Sequence, residues 1–192
     1  MYRKYFKRLF DIFLSLFLIL FLSPVFILIF FTVWWFIGYP IFKHNRPGLN
    51  NKIFTLYKFK TLYDTSKNVS EKKRQNKVGN YLRRVGFDEL PQLFNILKND
   101  MSFVGPRPLL IEYLKKYTVF EKKRHLVKPG ITGLAQVSPE PSGKKSWNKS
   151  IKLDIFYVNN VSFFLDIEIL FKTLILILFK KKQYKDFKKF YE

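Results

Sequence analysis

Two adjacent acids, Asp88 and Glu89, are the side chains in this sequence that are best placed to do chemistry. Apolar residues at helical spacing begin directly after them, at Leu90, Leu93, Phe94 and Leu97. The pair therefore stands at the start of a predicted helix, where acids often only cap the helix and interact with its dipole. Basic residues lie near the pair in the sequence, at Arg83, Arg84 and Arg107. The pair alone leaves capping and catalysis open.

Two loops rich in proline and glycine have the composition of phosphate-binding segments. Residues 105–108 read GPRP, and residues 128–133 read KPGITG. Each loop holds one cation, Arg107 or Lys128, beside a conformationally fixed backbone, and such loops suit phosphate oxygens. We expect both loops to lie between helical stretches.

The composition favours a membrane surface as a partner. The chain has 192 residues, enough for one domain, with a net charge of +21 and 48% hydrophobic residues. The basic and apolar residues are segregated along the chain, and each Lys or Arg gains roughly 1 kcal/mol near anionic headgroups. Nucleic acid is the competing partner, and AT-rich codon usage is an alternative source of the lysines. The absence of cysteine excludes disulfides, thiolate metal sites and a cysteine nucleophile.

Residues 12–42 form an uncharged run of 31 residues. As one straight helix the run would be about 46 Å long, against a hydrocarbon core of roughly 30 Å. Ser23-Pro24 lies near its middle, where proline bends a helix and Ser23 can bond a freed carbonyl. Basic residues flank both ends, which favours a segment that enters the membrane, breaks and returns to the same side. A tilted transmembrane helix is the alternative.

The remaining chain predicts short elements around the acids. Residues 44–51 (HNRPGLNN) predict a turn, and residues 53–62 predict a strand or hairpin. Residues 64–77 are polar and predict an exposed loop or a solvated helix. Residues 163–179 predict a helix in the headgroup region, followed by a lysine-rich tail.

Several blocks of the sequence resemble one known family. They are RPG at residues 46–48, YKFK at 57–60, FDELPQL at 87–93, MSFVGPRP at 101–108 and KPGITGLAQV at 128–137. Together with the basic lead and the Ser-Pro break, they are similar to the bacterial sugar transferases known as monotopic phosphoglycosyl transferases. The resemblance covers most of the chain, and its short length is similar to the minimal form that initiates glycoconjugate assembly.

The resemblance implies a two-step reaction. An aspartate attacks the sugar-bearing phosphate of a UDP-sugar, releases UMP and carries the phosphosugar until a polyprenol (undecaprenyl) phosphate accepts it. Carried onto this chain, Asp88 is the nucleophile and Glu89 its acidic partner in an Mg²⁺-dependent site, with base and metal support both open for Glu89. A carboxylate that approaches a diphosphate needs such cations to offset repulsion. The candidate phosphate contacts are Lys58, Lys60, Arg84, Arg107 and Lys128, with Arg107 the strongest.

One segment departs from the family pattern. After Gln136 and Val137 the family commonly shows Asn-Gly-Arg-Asn, whereas residues 138–145 here read SPEPSGKK. Lys144 or Lys145 would have to replace the missing arginine, although lysine lacks its planar bidentate fork. His125 also lies in a family-like block, and we interpret it as structural.

The predicted fold is α+β and mostly helical. It has a re-entrant helix-break-helix anchor at residues 1–42, a cytoplasmic catalytic domain with a short β-hairpin at 43–162, and an amphipathic basic segment at 163–192. The expected location is the bacterial inner membrane, with downstream glycosyltransferases as candidate partners and no nucleic acid. Two alternatives are a membrane-tethered basic protein that binds nucleic acid or anionic lipid without catalysis, and a structural membrane scaffold.

Overall fold

The N-terminal apolar run forms two helices that meet at Ser23-Pro24. The computed structural model describes residues 2–64, 70–138 and 146–179. It begins with a π-helical turn at Tyr2–Phe6, followed by α1 (Lys7–Phe21) and α2 (Ser23–Ile37), which is bent by 65° relative to α1. Pro24 lies in the first turn of α2, and the Ser23 hydroxyl donates to the Leu20 carbonyl at 2.8 Å. The predicted break and its local hydrogen bond are confirmed.

Within the described ranges, no single helix is long and apolar enough to cross a bilayer. The two helices of the bent pair α1–α2, taken together, have the length and the apolar composition that a membrane span requires.

An antiparallel hairpin follows the bent pair. Strand β1 (Ile41–Pro47) pairs with β2 (Ile53–Phe59), in a register that joins His44 to Leu56 and Pro47 to Ile53. A 3-10 turn at Leu49–Asn51 connects them, with positive φ at Asn50 and Asn51. The predicted strand is confirmed, but the predicted turn at residues 44–51 was too wide, because residues 44–47 pair across the hairpin.

The acidic pair lies between two helices. After the short α3 (Glu71–Arg74), α4 (Lys77–Val85) starts at Asn76, whose side chain accepts from the Gly79 amide at 2.7 Å. It ends at Gly86, whose φ of +79° favours glycine. A 3-10 turn at Phe87–Glu89 then leads into α5 (Gln92–Leu97). The predicted helix is confirmed, with the acids in the turn just before it. Residues 65–69 of the predicted polar segment lie outside the described residues.

The two proline- and glycine-rich loops share one small sheet. Strand β3 (Ser102–Val104) runs parallel to β4 (Gly130–Thr132), so that residues 105–108 leave β3 beside the segment that enters β4. A Cβ on Gly130 would lie 2.2 Å from the Gly105 amide nitrogen, so only glycine permits this approach. The expectation of two loops between helical stretches is corrected here, because each loop borders a strand of the same pair.

Helical segments complete the described chain. In chain order, β4 is preceded by a 3-10 turn at Ile111–Lys115, α6 (Val119–Lys122) and a 3-10 turn at Lys123–Leu126, and it is followed by α7 (Leu134–Val137). Then come α8 (Trp147–Asn159) and α9 (Phe163–Phe179), the predicted C-terminal helix. Residues 139–145 and the lysine tail at 180–192 lie outside the described residues, together with Lys144 and Lys145.

The main core joins these elements to the N-terminal helices. Its fully buried members include Ile96 of α5, Ile169 of α9, and Met101, which directly precedes β3. Leu14 and Leu18 of α1 pack against this cluster from the other side. The bent pair is therefore part of the folded unit.

A buried ion pair fastens α8 to the loop that follows β3. Arg124, 2% exposed, donates from Nη2 to Asp154 Oδ2 at 2.7 Å and to the Arg107 carbonyl at 2.8 Å. Its Nη1 donates to the Tyr117 hydroxyl at 3.0 Å. Sequence reasoning did not identify this pair, because burial of a charge depends on distant segments.

We predict that Arg124→Met destabilises the protein by about 3 to 5 kcal/mol, because it leaves a buried carboxylate without its cation. Chemical denaturation measures the free energy of unfolding. The matched control is Lys172→Met, which breaks an exposed ion pair with Glu168 and should cost less than about 1 kcal/mol. If both variants lost the same free energy of unfolding, the buried ion pair of Arg124 and Asp154 would contribute no more stability than the exposed pair.

Candidate active site

Glu89 lies between two cations that come from different parts of the fold. Its Oε1 accepts from Lys58 Nζ at 2.6 Å and from Arg107 Nη2 at 3.0 Å. Lys58 belongs to β2, and Arg107 to the loop after β3. Burial acts to raise the pKa of Glu89, but the two cations outweigh it and hold the pKa well below its usual range. Glu89 is therefore ionised across the physiological range and poorly suited to accept a proton.

The neighbouring carboxylate, Asp88, differs from Glu89 in its hydrogen bonding and in the direction of its pKa shift. The side chain is 7% exposed, and within the described ranges its Oδ1 is buried and accepts no hydrogen bond. Burial and the negative charge of Glu89 raise the pKa of Asp88 from 3.8 to about 6, against the opposing charges of Lys58, Arg83 and Arg107. The carboxylate is thus ionised at neutral pH, but more basic than an ordinary aspartate and not tied to a partner through Oδ1.

Asn95 aligns the helix after the acids with the strand that carries Lys58. Its fully buried amide accepts from the Tyr57 backbone amide at 3.0 Å and donates to the Thr55 carbonyl at 2.7 Å. These bonds fix α5 against β2, so Lys58 is held next to the turn that contains Glu89. On the other side, the bond from Arg124 to the Arg107 carbonyl fixes the backbone of the second cation.

The structure joins only some of the predicted cations to the acids. Lys58 and Arg107 each form an ion pair with Glu89. In the described part of the chain, no ion pair joins the acids to the other three predicted cations. Lys60 pairs with Asp64, Lys128 donates to Asn99, and Arg84 is exposed near the end of α4. The phosphate contacts proposed for all five residues, Lys58, Lys60, Arg84, Arg107 and Lys128, stay predictions.

Arg83 is a cation near the acids that the sequence prediction passed over in favour of Arg84. Its positive charge opposes the rise in the pKa of Asp88, and its Nε donates to the Thr61 hydroxyl at 2.7 Å. The signal was present in the sequence, because Arg83 stands four residues after Gly79 and one after Leu82, which are both buried on α4. Helical spacing therefore distinguishes the inward arginine from the outward one.

His125 contacts the hairpin turn rather than the acids. Its Nδ1 lies 3.3 Å from the Gly48 carbonyl, and burial, together with the charge of Arg124, lowers the pKa of His125 to about 4. A neutral imidazole that bonds a turn carbonyl is consistent with the structural role expected from the sequence.

The acids fit Mg²⁺ only as part of a shared site. Among residues 2–64, 70–138 and 146–179, no group of three or more His, Asp or Glu side chains could hold a metal ion. Mg²⁺ is usually held by one or two carboxylates together with substrate phosphates and waters. Asp88 and Glu89 provide two carboxylates, and the free Oδ1 of Asp88 is a suitable ligand. The donor set therefore suits an ion that arrives with a phosphate-containing substrate.

We predict that Asp88→Asn stabilises the protein above pH 6. Because the folded state raises the pKa of Asp88 from 3.8 to about 6, the wild-type protein loses stability as the pH rises from about 4 to 6. Roughly two pH units correspond to about 3 kcal/mol, and the neutral amide avoids this loss. Denaturation at several pH values should show the gain at pH 7 and its disappearance near pH 4. A gain that is the same at both pH values would contradict the raised pKa.

This chain is similar in sequence to known proteins over most of its length. A family described as bacterial sugar transferase matches residues 2–180. The chain is 46% identical over 173 residues to the uncharacterized sugar transferase EpsL of Bacillus subtilis, covering 88% of this chain and 85% of that protein.

Two longer relatives have names that describe an activity. The undecaprenyl-phosphate galactose phosphotransferase of Salmonella typhimurium is 34% identical over 91% of this chain, which spans 41% of that protein. The UDP-glucose:undecaprenyl-phosphate glucose-1-phosphate transferase of Klebsiella pneumoniae is 36% identical over 88% of this chain, which spans 39% of that protein. The family match and these similarities show that the chain belongs to the bacterial sugar transferase family.

Proposed function

We propose that this chain transfers a sugar 1-phosphate from a UDP-sugar to a polyprenol phosphate such as undecaprenyl phosphate, releasing UMP. The observation that carries the proposal is the division between two adjacent carboxylates. Glu89 is tied to Lys58 and Arg107, whereas Asp88 is buried with Oδ1 unbonded. The names of the longer relatives support the same substrates.

In the first step, a carboxylate oxygen of Asp88 attacks the phosphorus that bears the sugar. A bond forms between this oxygen and phosphorus, and the bond from phosphorus to the bridging oxygen breaks. UMP leaves with the electron pair. The raised pKa of Asp88 favours attack, because a more basic carboxylate is a better nucleophile and is still ionised at pH 7.

In the second step, a phosphate oxygen of the polyprenol phosphate attacks the same phosphorus. The bond to Asp88 breaks, and the carboxylate is restored. Neither step requires a net proton transfer. Glu89 therefore acts in this proposal as the residue that holds Lys58 and Arg107 beside the diphosphate, rather than as a general base.

The two cations reduce the electrostatic repulsion between the Asp88 carboxylate and the diphosphate of the donor. Lys58 and Arg107 already lie at the acids, so they can offset charge on the phosphate oxygens without a large rearrangement. We include Mg²⁺ in the proposal, held by Asp88 and Glu89 together with donor phosphate oxygens. When bound, it would neutralise part of the diphosphate charge.

We further propose that residues 1–42 are a re-entrant membrane anchor. The two helices bend by 65°, and they leave large apolar side chains exposed, such as Phe13 at 70%, Leu20 at 74% and Trp35 at 86%. A lipid environment would cover this surface. The basic residues at both ends of the run support a cytoplasmic position for both ends.

The anchor would hold residues 43–162 at the cytoplasmic face of the bacterial inner membrane. There the phosphate of a polyprenol meets a soluble UDP-sugar. Exposed apolar residues of α9, such as Phe164 and Leu178, support interfacial contact for the segment at 163–192. The lipid-linked product is a substrate for glycosyltransferases, which are therefore the proposed downstream partners.

We predict that Asp88→Asn abolishes both the adduct and UMP release, because the amide oxygen is a far weaker nucleophile. Intact-mass analysis after mixing with a panel of UDP-sugars and Mg²⁺, without acceptor, should show a phosphosugar on the wild-type protein alone. The matched control is Glu112→Gln, which neutralises an exposed acid and should leave the adduct intact. Unchanged turnover in Asp88→Asn would overturn the nucleophile assignment. Salt-dependent nucleic-acid binding without any adduct would favour the basic binding protein.

We predict that Phe6→Cys and Lys43→Cys are labelled from the same side of a membrane, because a re-entrant segment returns to the face that it entered. The chain has no cysteine of its own, so each variant carries a single thiol. A membrane-impermeant maleimide applied to inverted and right-side-out vesicles gives the side. Leu20→Cys, near the bend, is the protected control. Labelling from opposite sides would show a transmembrane helix instead.

A further inference from the structure

One face of α1 binds the chain that connects the two halves of the candidate site. The segment with Asp88 and Glu89 leads into α5, and residues 98–101 connect α5 to β3. Three residues after the end of β3, Arg107 returns to Glu89 at 3.0 Å. The chain therefore forms a loop that the ion pair between Glu89 and Arg107 closes at one end.

Arg8 binds the first side of the connection at the other end of this loop. Its Nη1 donates to the Ile96 carbonyl at 2.6 Å, and its Nη2 donates to the Leu97 carbonyl at 2.9 Å. These are the last two residues of α5, and the Ile96 carbonyl also accepts from the Asn99 backbone amide at 2.9 Å. A guanidinium with two parallel donors suits two neighbouring carbonyls, and its positive charge is favourable at a helix C-terminus.

Asp11 binds the second side. It lies three residues after Arg8, on the same face of α1, and is 2% exposed. Its Oδ1 accepts from the Ser102 hydroxyl at 3.0 Å and from the Phe103 backbone amide at 3.1 Å. The Ser102 amide bonds the Pro129 carbonyl, which precedes β4. The carboxylate thus occupies the edge of β3 that faces away from β4.

We propose that Arg8 and Asp11 are positioning residues for the transfer reaction, which fix the spacing between the Asp88-Glu89 turn and Arg107. This inference rests on the proposed function. Neither residue reaches the acids. They act through α5 and β3, which residues 98–101 connect. Glu89 lies just before α5 and Arg107 lies just after β3, so these two elements lead to the two partners of the ion pair. A misplacement of about 1 Å can cost about a hundredfold in rate, so the fixed connection has a direct consequence for turnover.

The same contacts explain why the anchor is also a part of the catalytic unit. Hydrophobic packing alone can hold an apolar helix, and Leu14 of α1 packs against the core in this way. A buried aspartate and a bidentate arginine add directional bonds, which fix the axial position and rotation of α1 against α5 and β3. The helix that sets the height of the protein in the bilayer thereby also sets the geometry of the site.

The test compares Arg8→Met and Asp11→Leu with Leu14→Ala. Leu14→Ala weakens the packing of α1 but keeps both polar contacts. With saturating UDP-sugar and at a temperature where all variants are folded, the first two variants should form the donor-only adduct about 10- to 100-fold more slowly. The apparent KM for the donor should change less than the rate constant. Leu14→Ala should keep the wild-type rate constant.

Conservative variants separate positioning from folding. Arg8→Lys keeps a cation that can reach one carbonyl, so it should recover part of the rate that Arg8→Met loses. Ser102→Ala removes one of the two donors to Asp11 and should show a smaller loss than Asp11→Leu, which removes the acceptor of both bonds. These two variants also carry the test if either stronger substitution prevents folding. Rates that follow only the loss of stability, with Leu14→Ala as slow as the others, would overturn the inference.

A distance measurement makes the test independent of activity. Nitroxide labels on Arg84→Cys and Glu112→Cys, both exposed, report the separation of the chain before the acids from the chain after Arg107. We expect a narrow distance distribution in the wild-type background and in Leu14→Ala, and a broader one in Arg8→Met and Asp11→Leu. If the wild-type protein forms no adduct, the proposed function fails while this measurement still decides the spacing. An unchanged distribution in all backgrounds overturns the inference.

Discussion

The ion pairs that Glu89 makes with Lys58 and Arg107 are the interaction on which the candidate site depends. They place two cations within bonding distance of one carboxylate, and the ionised Glu89 adds to the effect of burial in raising the pKa of the adjacent Asp88. Two identical functional groups are thereby held in different states, since one is fully compensated and the other is buried and only partly compensated. This difference in environment, rather than any difference between Asp and Glu, makes one of them suited to attack phosphorus.

Most of the surrounding structure can be understood as support for that arrangement. Asn95 fixes α5 to β2 and so brings Lys58 to the acids, while Arg124 fixes the backbone of Arg107 from a fully buried position. The contact between Gly105 and Gly130 lets β3 and β4 approach closely enough to aim the loop with Arg107 at Glu89. Arg8 and Asp11 extend the same support into the N-terminal helix, which joins the proposed membrane anchor to the reaction geometry.

The sequence predicted local features well where a local pattern carried them. The break at Ser23-Pro24 follows from proline chemistry, and the strand after residue 52 from its β-prone residues. The helix after Asp88 follows from apolar spacing. The pairing of β3 with β4 was not predicted, because a three-residue strand has no periodicity of its own and its partner is 28 residues away. The turn at residues 44–51 was predicted too wide for a related reason, since cross-strand pairing overrode local turn propensity.

By itself, the sequence determined the family resemblance, the acids and the presence of cations near them, because these depend on residue types and spacing along the chain. Only the tertiary structure decided which cations contact the acids, and that Arg8, Asp11 and Arg124 serve as supports. The physical reason is that an ion pair requires a few ångströms of separation and a shared degree of burial. Both are set by the packing of segments that are distant in the chain.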